Sequence, residues 1–421
     1  MTLACGLDFG TSNSTFGLVD ANGTPRLLGL EDGKQTIPSV LFFGFEDDTL
    51  YFGRSAVAEY VTGAEGRLMR SLKSVLGTSL IGDTTRVKGK RYDFIEILGI
   101  FIAELKRRAE RELGELDTVV VGRPVHFVDD DAVADAAAQA QLESAVRAQG
   151  FKHIDFQFEP IAAALDYERQ VRNEKLALIV DLGGGTSDFS VVRVSPERAK
   201  LVDRGSDILA TAGVHVGGTD FDRLLSMAKV MPELGLGTET KDGKRYLPVA
   251  PYYDLSTWHR INRLYTAQQL RDLRGTRNEA REPELVETMI ELIEDRLGHK
   301  LVGVVEAAKI ALSDADTTQF EFAVRDRLVE TTMSINDLTA ALDSSVRRIE
   351  STIEETLRRA GVVAGDIDSL ILTGGSTQVP AIANRLTALF PGADLVRTDV
   401  LGSVGLGLAM DAARKFGPVA A

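Results

Sequence analysis

The sequence predicts an α/β fold of two related halves facing each other across a cleft, and three observations predict it. "LDFGTSNST" at 7–15 is an apolar strand ending in an aspartate, then a glycine turn, then a second strand. "VDLGGGTSD" at 180–188 repeats that device. Each copy is followed by a third strand and then by helix and strand in alternation. The 421 residues suit two or three domains of ~100–200 residues each, and 44% hydrophobic with 26% charged content is ordinary for a globular chain.

The first half is expected over 1–172, with an inserted subdomain at about 31–92. Strands are predicted at 3–8, 14–19 and 26–30, with Asn22-Gly23 as a tight turn. "DFIEILGIFIAELKRRAEREL" at 93–113 is apolar at helical spacing. A buried strand at 117–124 stops at Pro124. The segment 129–150 reads as a helix, acidic at its start and closed by Gly150. A strand at 153–160 follows, and Pro160 suits the first turn of the next helix.

The second half is expected over 173–410. Residues 175–194 give strand, glycine turn and strand, and "AKLVDRGS" at 199–206 reads as the third strand. An insertion at about 219–333 is expected to be helical at its ends and loop-rich over 235–284, where Tyr252, Tyr253 and Trp258 lie on a solvated or partner-binding surface. A helix at 334–361 starts with Ser334 and Asp337 in capping-box spacing. A strand at 369–376 and helices at 379–390 and 402–415 complete the half, and 411–421 reads as a short tail.

Composition excludes several functions. A net charge of −14 argues against nucleic acid or an anionic membrane as the main partner. Cys5 is the single cysteine, so no disulfide framework exists, which fits a reducing, cytoplasmic setting. The N-terminus lacks the pattern of a signal peptide, and the longest apolar runs fall short of the ~20 residues that span a bilayer.

The duplicated turn points to phosphate chemistry. Gly10, Gly183, Gly184 and Gly185 let backbone N–H groups approach phosphate oxygens, and hydroxyls of Thr11, Ser12 and Thr186 add donors. Asp8 and Asp181 then face each other and can hold hydrated Mg²⁺ against a nucleotide's phosphates, with Asp188 available for a second cation. A single such turn is ordinary turn chemistry; its repetition in matching halves is the signal. "LILTGGSTQVPAI" at 370–382 adds Gly374, Gly375 and Ser376 between a strand and a helix, an arrangement suited to an adenosine or phosphate group.

"GLDFGTSNS", "FEPIAAALDY", "LIVDLGGGTSDFSVV", "VGGTDFDRLL", "VEAAKIALS" and "ILTGGSTQVPAI" stand in one order along the chain. Together the six motifs resemble the nucleotide-binding domain of the heat-shock-70 (DnaK-like) chaperones over about residues 3–410, and "VGRPVHF" at 121–127 is similar to the YegD-type branch. The resemblance implies the actin-like ATPase fold, shared with actin and hexokinase-type kinases, and ATP or ADP with Mg²⁺ as ligands. By the same resemblance Asp8 and Asp181 position Mg²⁺, and Asp188 helps hold a monovalent cation such as potassium. Thr11, Ser12, Asn13, Gly183, Gly184, Gly185 and Thr186 belong to the phosphate loops. Glu159 orients the attacking water and Lys73 contacts the γ-phosphate. Glu306, Lys309 and Ser313 match adenosine contacts, at i, i+3 and i+7 on one helical face. Gly217, Gly218, Gly374, Gly375 and Ser376 complete the pocket.

The resemblance also implies a J-domain co-chaperone, an exchange factor and a client protein as partners. Ile310 and Gln378 stand where the family places arginines against the adenosine, so weaker base stacking is expected. The chain ends shortly after the last helix of the ATPase region, so the peptide-binding domain is expected to be missing from it. The resulting expectation is a slow ATPase acting as a nucleotide-driven switch in protein folding or quality control. The alternatives are an actin-like filament or scaffold protein and a small-molecule kinase of the same fold.

Overall fold

The computed structural model, which describes residues 3–128, 131–397 and 402–417, builds the same sheet twice. In the first half β1 (Ala4–Phe9), β2 (Asn13–Val19) and β3 (Pro25–Leu27) form an antiparallel meander. The turn between β2 and β3 is held by Asp20, whose carboxylate accepts from the N–H groups of Asn22 and Thr24. β4 (Thr36–Pro38) pairs with β2, so the start of the expected insertion adds to the main sheet. Next, β5 (Val40–Gly44), β6 (Leu50–Phe52), α1 (Gly53–Val61) and β7 (Gly66–Arg70) form a small sheet in the order β6-β5-β7 with α1 against it. The hairpin β8 (Thr84–Val87) and β9 (Lys90–Asp93) leads into α2 (Phe94–Leu113), where the Asp93 carboxylate caps the N–H of Glu96 at 2.6 Å. β10 (Thr118–Arg123), α3 (Ala132–Arg147), β11 (His153–Phe158) and α4 (Glu159–Glu168) follow. β10 and β11 run parallel to β1, giving the order β11-β10-β1-β2-β3.

The second half repeats this plan with β12 (Lys175–Leu182), β13 (Ser187–Val194) and β14 (Ile208–Val214) as its meander. The third strand therefore lies beyond the predicted 199–206. That stretch is turns instead, because Arg204 is fully buried and pairs with Glu168 of α4 and with Asp207, which also binds Arg198. Desolvated charges tolerate burial only when so paired, and the network draws the chain off the sheet edge. Leu201 and Val202, the apolar signal behind the strand prediction, are exposed.

The second insertion holds α5 (Gly218–Lys229), α6 (Ala250–Leu255), α7 (Ala267–Glu279), α8 (Pro283–Glu294), α9 (Gly298–Ala311) and the hairpin β15 (Thr317–Val324) with β16 (Arg327–Ser334). Three expectations fail here, in whole or in part. The predicted loop-rich middle keeps its turns over 235–249 but also holds α6 and α7: α7 buries only Leu273 but is fastened to α8 by the ion pairs Arg277–Glu287 and Arg274–Glu294. The C-terminal end is β rather than helical, since "TTQFEFAV" alternates and sends Phe320, Phe322 and Val324 inward. Tyr252, expected on a surface, is 1% exposed and part of the core.

α10 (Ile335–Ala360) spans ~39 Å at 1.5 Å per residue. Ser334 and Asp337 form the expected capping box, and Gly361, with φ of 71°, ends the helix in the left-handed region. Its stripe Leu338, Leu342, Val346, Ile349 and Ile353 is buried, each side chain contributing ~1.5–3 kcal/mol. β17 (Ser369–Thr373), α11 (Pro380–Leu389) and β18 (Asp394–Arg397) finish the sheet as β14-β13-β12-β17-β18, again an antiparallel meander with two parallel strands added at its first member.

α12 (Ser403–Phe416) then crosses back to lie on β1 and β2 of the first sheet and on α4. Its small residues make this possible: a Cβ on Gly407 would overlap the carbonyl of Ala162, and one on Gly405 would overlap the hydroxyl of Thr15. The helix continues six residues into the expected 411–421 tail. There Lys415 pairs with Asp155 at 2.9 Å and donates to the Phe156 carbonyl, while Arg414 donates to the Ala199 carbonyl. The last turn of α12 thus ties β11 of one half to the chain entering β14 of the other. Residues 129–130 of the expected 129–150 helix, residues 400–401 at the start of "VLGSVGLGLAMDA" and residues 418–421 of the tail lie outside the described residues.

Candidate functional site

Asp8 and Asp181 occupy matching positions near the ends of β1 and β12, opposite Thr15 and Asp188 on the antiparallel neighbours. The two glycine turns meet. A Cβ on Gly184 would overlap Ser12 Oγ, so the turn of one half touches the turn of the other. The 183–185 loop is braced from its own half. Gly218 N donates to Gly183 O at 3.0 Å, Thr219 N and Oγ1 both donate to Gly184 O at 2.8 Å, and Ser376 Oγ donates to Gly183 O at 3.1 Å. A side chain at Gly217 would come within 2.6 Å of the Gly184 backbone. Gly374 has φ of +82°, and a Cβ there would lie 2.6 Å from Asp181 Oδ1. Gly375 opens a 3₁₀ turn, Gly375–Gln378, and the α-helix starts only at Pro380.

Lys73 enters from the first insertion. Ser71 has left-handed backbone, φ 56°, and turns the chain into the 3₁₀ segment Leu72–Val75. Lys73 is therefore 8% exposed, not solvated, and its ammonium forms an ion pair with Glu159, the first residue of α4. Burial drives the Asp8 carboxyl up to about 7, with Glu159 adding to the shift and Lys73 opposing it. Burial also lifts Asp181 to about 8, with Asp188, Glu159 and Asp8 adding and Lys73 opposing. Burial works against a charged Lys73, but Glu159 and Asp8 outweigh it and hold its pKa above the ordinary value.

One ammonium thus faces the carboxyls of Glu159, Asp8 and Asp181, and Asp188 bears on Asp181. Such a set is short of positive charge and offers only oxygen donors, which fits a hard divalent cation. Among the described residues no three His, Cys, Asp or Glu side chains cluster closely enough to ligate a metal by themselves. The fit is therefore to an ion that keeps most of its waters and takes one or two carboxylates, as Mg²⁺ does.

The remaining predicted residues divide. Lys309 of α9 is buried, pairs with Asp222 of α5 at 2.7 Å and approaches the Gly218 carbonyl at 3.4 Å, so it lines the same glycine wall. Burial raises Asp222 to about 6, against the opposing effect of Lys309. Glu306 is exposed, and Ser313 lies past the end of α9 rather than on its face. Ile310 is 58% exposed, and Gln378 is also exposed. The Thr186 hydroxyl is turned towards Asp188, at 3.3 Å. Asn13 pairs through the sheet with Pro38, and the loop holding Gly10, Thr11 and Ser12 is braced by Ser39, which donates to Gly10 O at 2.7 Å.

Three residues of the site escaped sequence reasoning. Asp222 fixes Lys309, and its only signal was a carboxylate inside "VGGTDFDRLL". Gly122 lies in β10, where an added Cβ would sit 3.4 Å from Glu159 Cγ and 3.7 Å from Asp8 Oδ1. The signal there was an isolated glycine in an otherwise β-branched strand. Ser39 carried no signal.

The family model described as Hsp70 protein matches residues 4–231 and 285–416. Chaperone protein HscA of Citrobacter koseri is 28% identical over 432 residues, which cover 97% of this chain and 58% of that protein. The HscA homolog of Cupriavidus necator is 26% identical with the same coverage, and chaperone protein DnaK of Thermosipho melanesiensis is 28% identical over 413 residues, covering 97% of this chain and 58% of its own. The chain thus spans somewhat over half the length of these curated relatives. The two sheets of like order and the profile match over most of the sequence agree: this chain belongs to the Hsp70 protein family.

Proposed function

We propose that the chain binds ATP between its two halves, hydrolyses it, and serves as the nucleotide-driven switch of a cytoplasmic chaperone system. The observation that carries this reading is the set of half-buried carboxyl groups Asp8, Asp181 and Glu159 with the buried Lys73 at the meeting point of two glycine turns. On this reading the 10–13 and 183–186 loops bind the phosphates. Lys309, held by Asp222, lines the nucleoside side. Glu159 at the N-terminus of α4 orients a water for attack on the terminal phosphorus, and Lys73 exchanges its contact with Glu159 for one with the γ-phosphate. Phosphoryl transfer to water requires this positioning and charge neutralisation and little covalent help. Asp8 and Asp181 would hold Mg²⁺, which would supply charge neutralisation at the phosphate oxygens. Asp188 serves a monovalent cation such as potassium. A J-domain co-chaperone, an exchange factor and a client are the partners this reading calls for; the family membership supports them.

The raised carboxyls give a pH test. Unfolded, Asp8 and Asp181 ionise near 3.8; folded and empty, near 7 and 8. Between these limits the folded state binds more protons than the unfolded one, so stability falls as pH rises through about 7 to 8. Binding of Mg²⁺–ATP favours the ionised forms, so it strengthens over the same window and releases about one proton near pH 7. Titration calorimetry in two buffers of different ionisation enthalpy measures that release. Equal heats in both buffers would contradict the assignment, and Asp8→Asn should reduce the difference.

A further inference from the structure

A group unused by this mechanism bridges the two halves. Tyr60 of α1, in the first half, lies against Trp258 and His299 of the second. The His299 ring meets Tyr60 at 4.7 Å and Trp258 at 4.8 Å between centroids, both edge-on. Its Nε2 lies 3.2 Å from the Trp258 carbonyl and 3.3 Å from Tyr60 Oη, while Asn262 Nδ2 donates to the same Oη at 2.7 Å. Arg70, the last residue of β7, stacks over Trp258 at 5.2 Å and stands three residues before Lys73.

We propose that Tyr60, Trp258 and His299 form a clasp across the cleft, and that uptake of a proton by His299 releases it. The carbonyl of Trp258 can only accept, so Nε2 carries the hydrogen in the closed clasp and the second proton must go to Nδ1. The ring is 5% exposed. Facing it are Tyr60 from α1, Tyr265 from the segment before α7 with Arg296 stacked on it, and the Arg70 guanidinium from β7. None of these groups is a carboxylate that could receive an imidazolium; Glu306, on the same helix as His299, acts on Arg70 instead. Burial accordingly drives His299 down to about 4, against the donor bond to Trp258 and with Arg70 adding to the shift. Opened to water the ring returns towards ~6.5. The closed clasp therefore has its full stability above ~6.5 and loses about tenfold in its closing equilibrium per pH unit below that, down to about 4. Since Arg70 and Lys73 share one short segment, opening the clasp also loosens the residue that faces the phosphates. That the clasp retains a nucleotide rests on the function proposed above; its opening by a proton does not.

Trp258 is the only tryptophan in the sequence, so its fluorescence reads the clasp directly in the nucleotide-free protein. Lowering the pH from 8 to 5 should shift its emission to the red while far-ultraviolet circular dichroism stays constant. His299→Gln should remove the shift; His259→Gln, altering the exposed neighbouring imidazole, should leave it. A wild-type emission that does not move, or a shift unchanged in His299→Gln, overturns the clasp. A fluorescent ADP analogue tests retention: its dissociation should be roughly tenfold faster at pH 5.5 than at 7.5 in the wild type relative to His299→Gln. Equal pH dependence in the two proteins overturns retention alone. A chain that takes up no analogue counts against the nucleotide site and against retention, leaving the Trp258 result to decide the clasp.

Discussion

Lys73→Ala is expected to slow single-turnover ATP hydrolysis roughly 100- to 1,000-fold while ATP binding remains measurable, the usual effect of removing a preorganised electrostatic donor. Lys73 is the ammonium paired with Glu159 and the cation that opposes the shifts of Asp8 and Asp181. It reaches the site only because Ser71 turns the chain into a 3₁₀ segment. Glu159→Gln should cost at least about tenfold by the same assay, since a water is left without its acceptor. Removing Lys73 alone also leaves the half-buried Glu159 carboxylate unpaired, which destabilises the fold. Lys73→Met with Glu159→Gln separates the effects: the double variant should recover stability and stay inactive. Hydrolysis at the wild-type rate in both single variants would remove Lys73 and Glu159 from the mechanism.

The second large effect is on the fold. Gly407→Val should destabilise the protein by about 3 kcal/mol or more, because any Cβ there overlaps the Ala162 carbonyl and a packed core relaxes little around backbone. The change also reaches the candidate site: Ala162 belongs to α4, whose first residue is Glu159, so displacing α4 from α12 moves the carboxylate proposed above to orient the water. Gly303→Ala is the contrasting change. Gly303 lies within α9 with open space around the added methyl, and the substitution should stabilise by ~0.5–1 kcal/mol. Urea midpoints measured on the two variants should move in opposite directions. A Gly407→Val protein as stable as the wild type would contradict the packing of α12 described above.

What the sequence made legible was local. The paired aspartate-glycine turns, the capping box of α10 and Pro160 at the start of α4 are each signalled by residues within a few positions of one another. The common plan of the two halves, a strand meander followed by alternating helix and strand, shows in the repetition of one pattern. What stayed hidden depends on contacts between distant positions. "AKLVDRGS" looks like a strand until Arg204 is found buried against Glu168, 36 residues away. α7 lacks an apolar stripe and stands on ion pairs to α8. Asp222 becomes a site residue only when α9 brings Lys309 to it, and Tyr60 meets His299 across 239 residues. The β15–β16 hairpin is a different case, because its alternation is visible in the sequence but sits inside an insertion whose other end is helical.

In the function proposed above, two glycine turns and their carboxylates grip one nucleotide and turn it over. The most direct measurement follows purified, unmutated protein with ATP, with and without Mg²⁺, recording bound nucleotide and released phosphate over a single turnover. The expected result is saturable binding that Mg²⁺ strengthens, with slow release of phosphate and no acceptor added. Absence of nucleotide binding, or binding and turnover indifferent to Mg²⁺ and to the Asp8→Asn change, would contradict it.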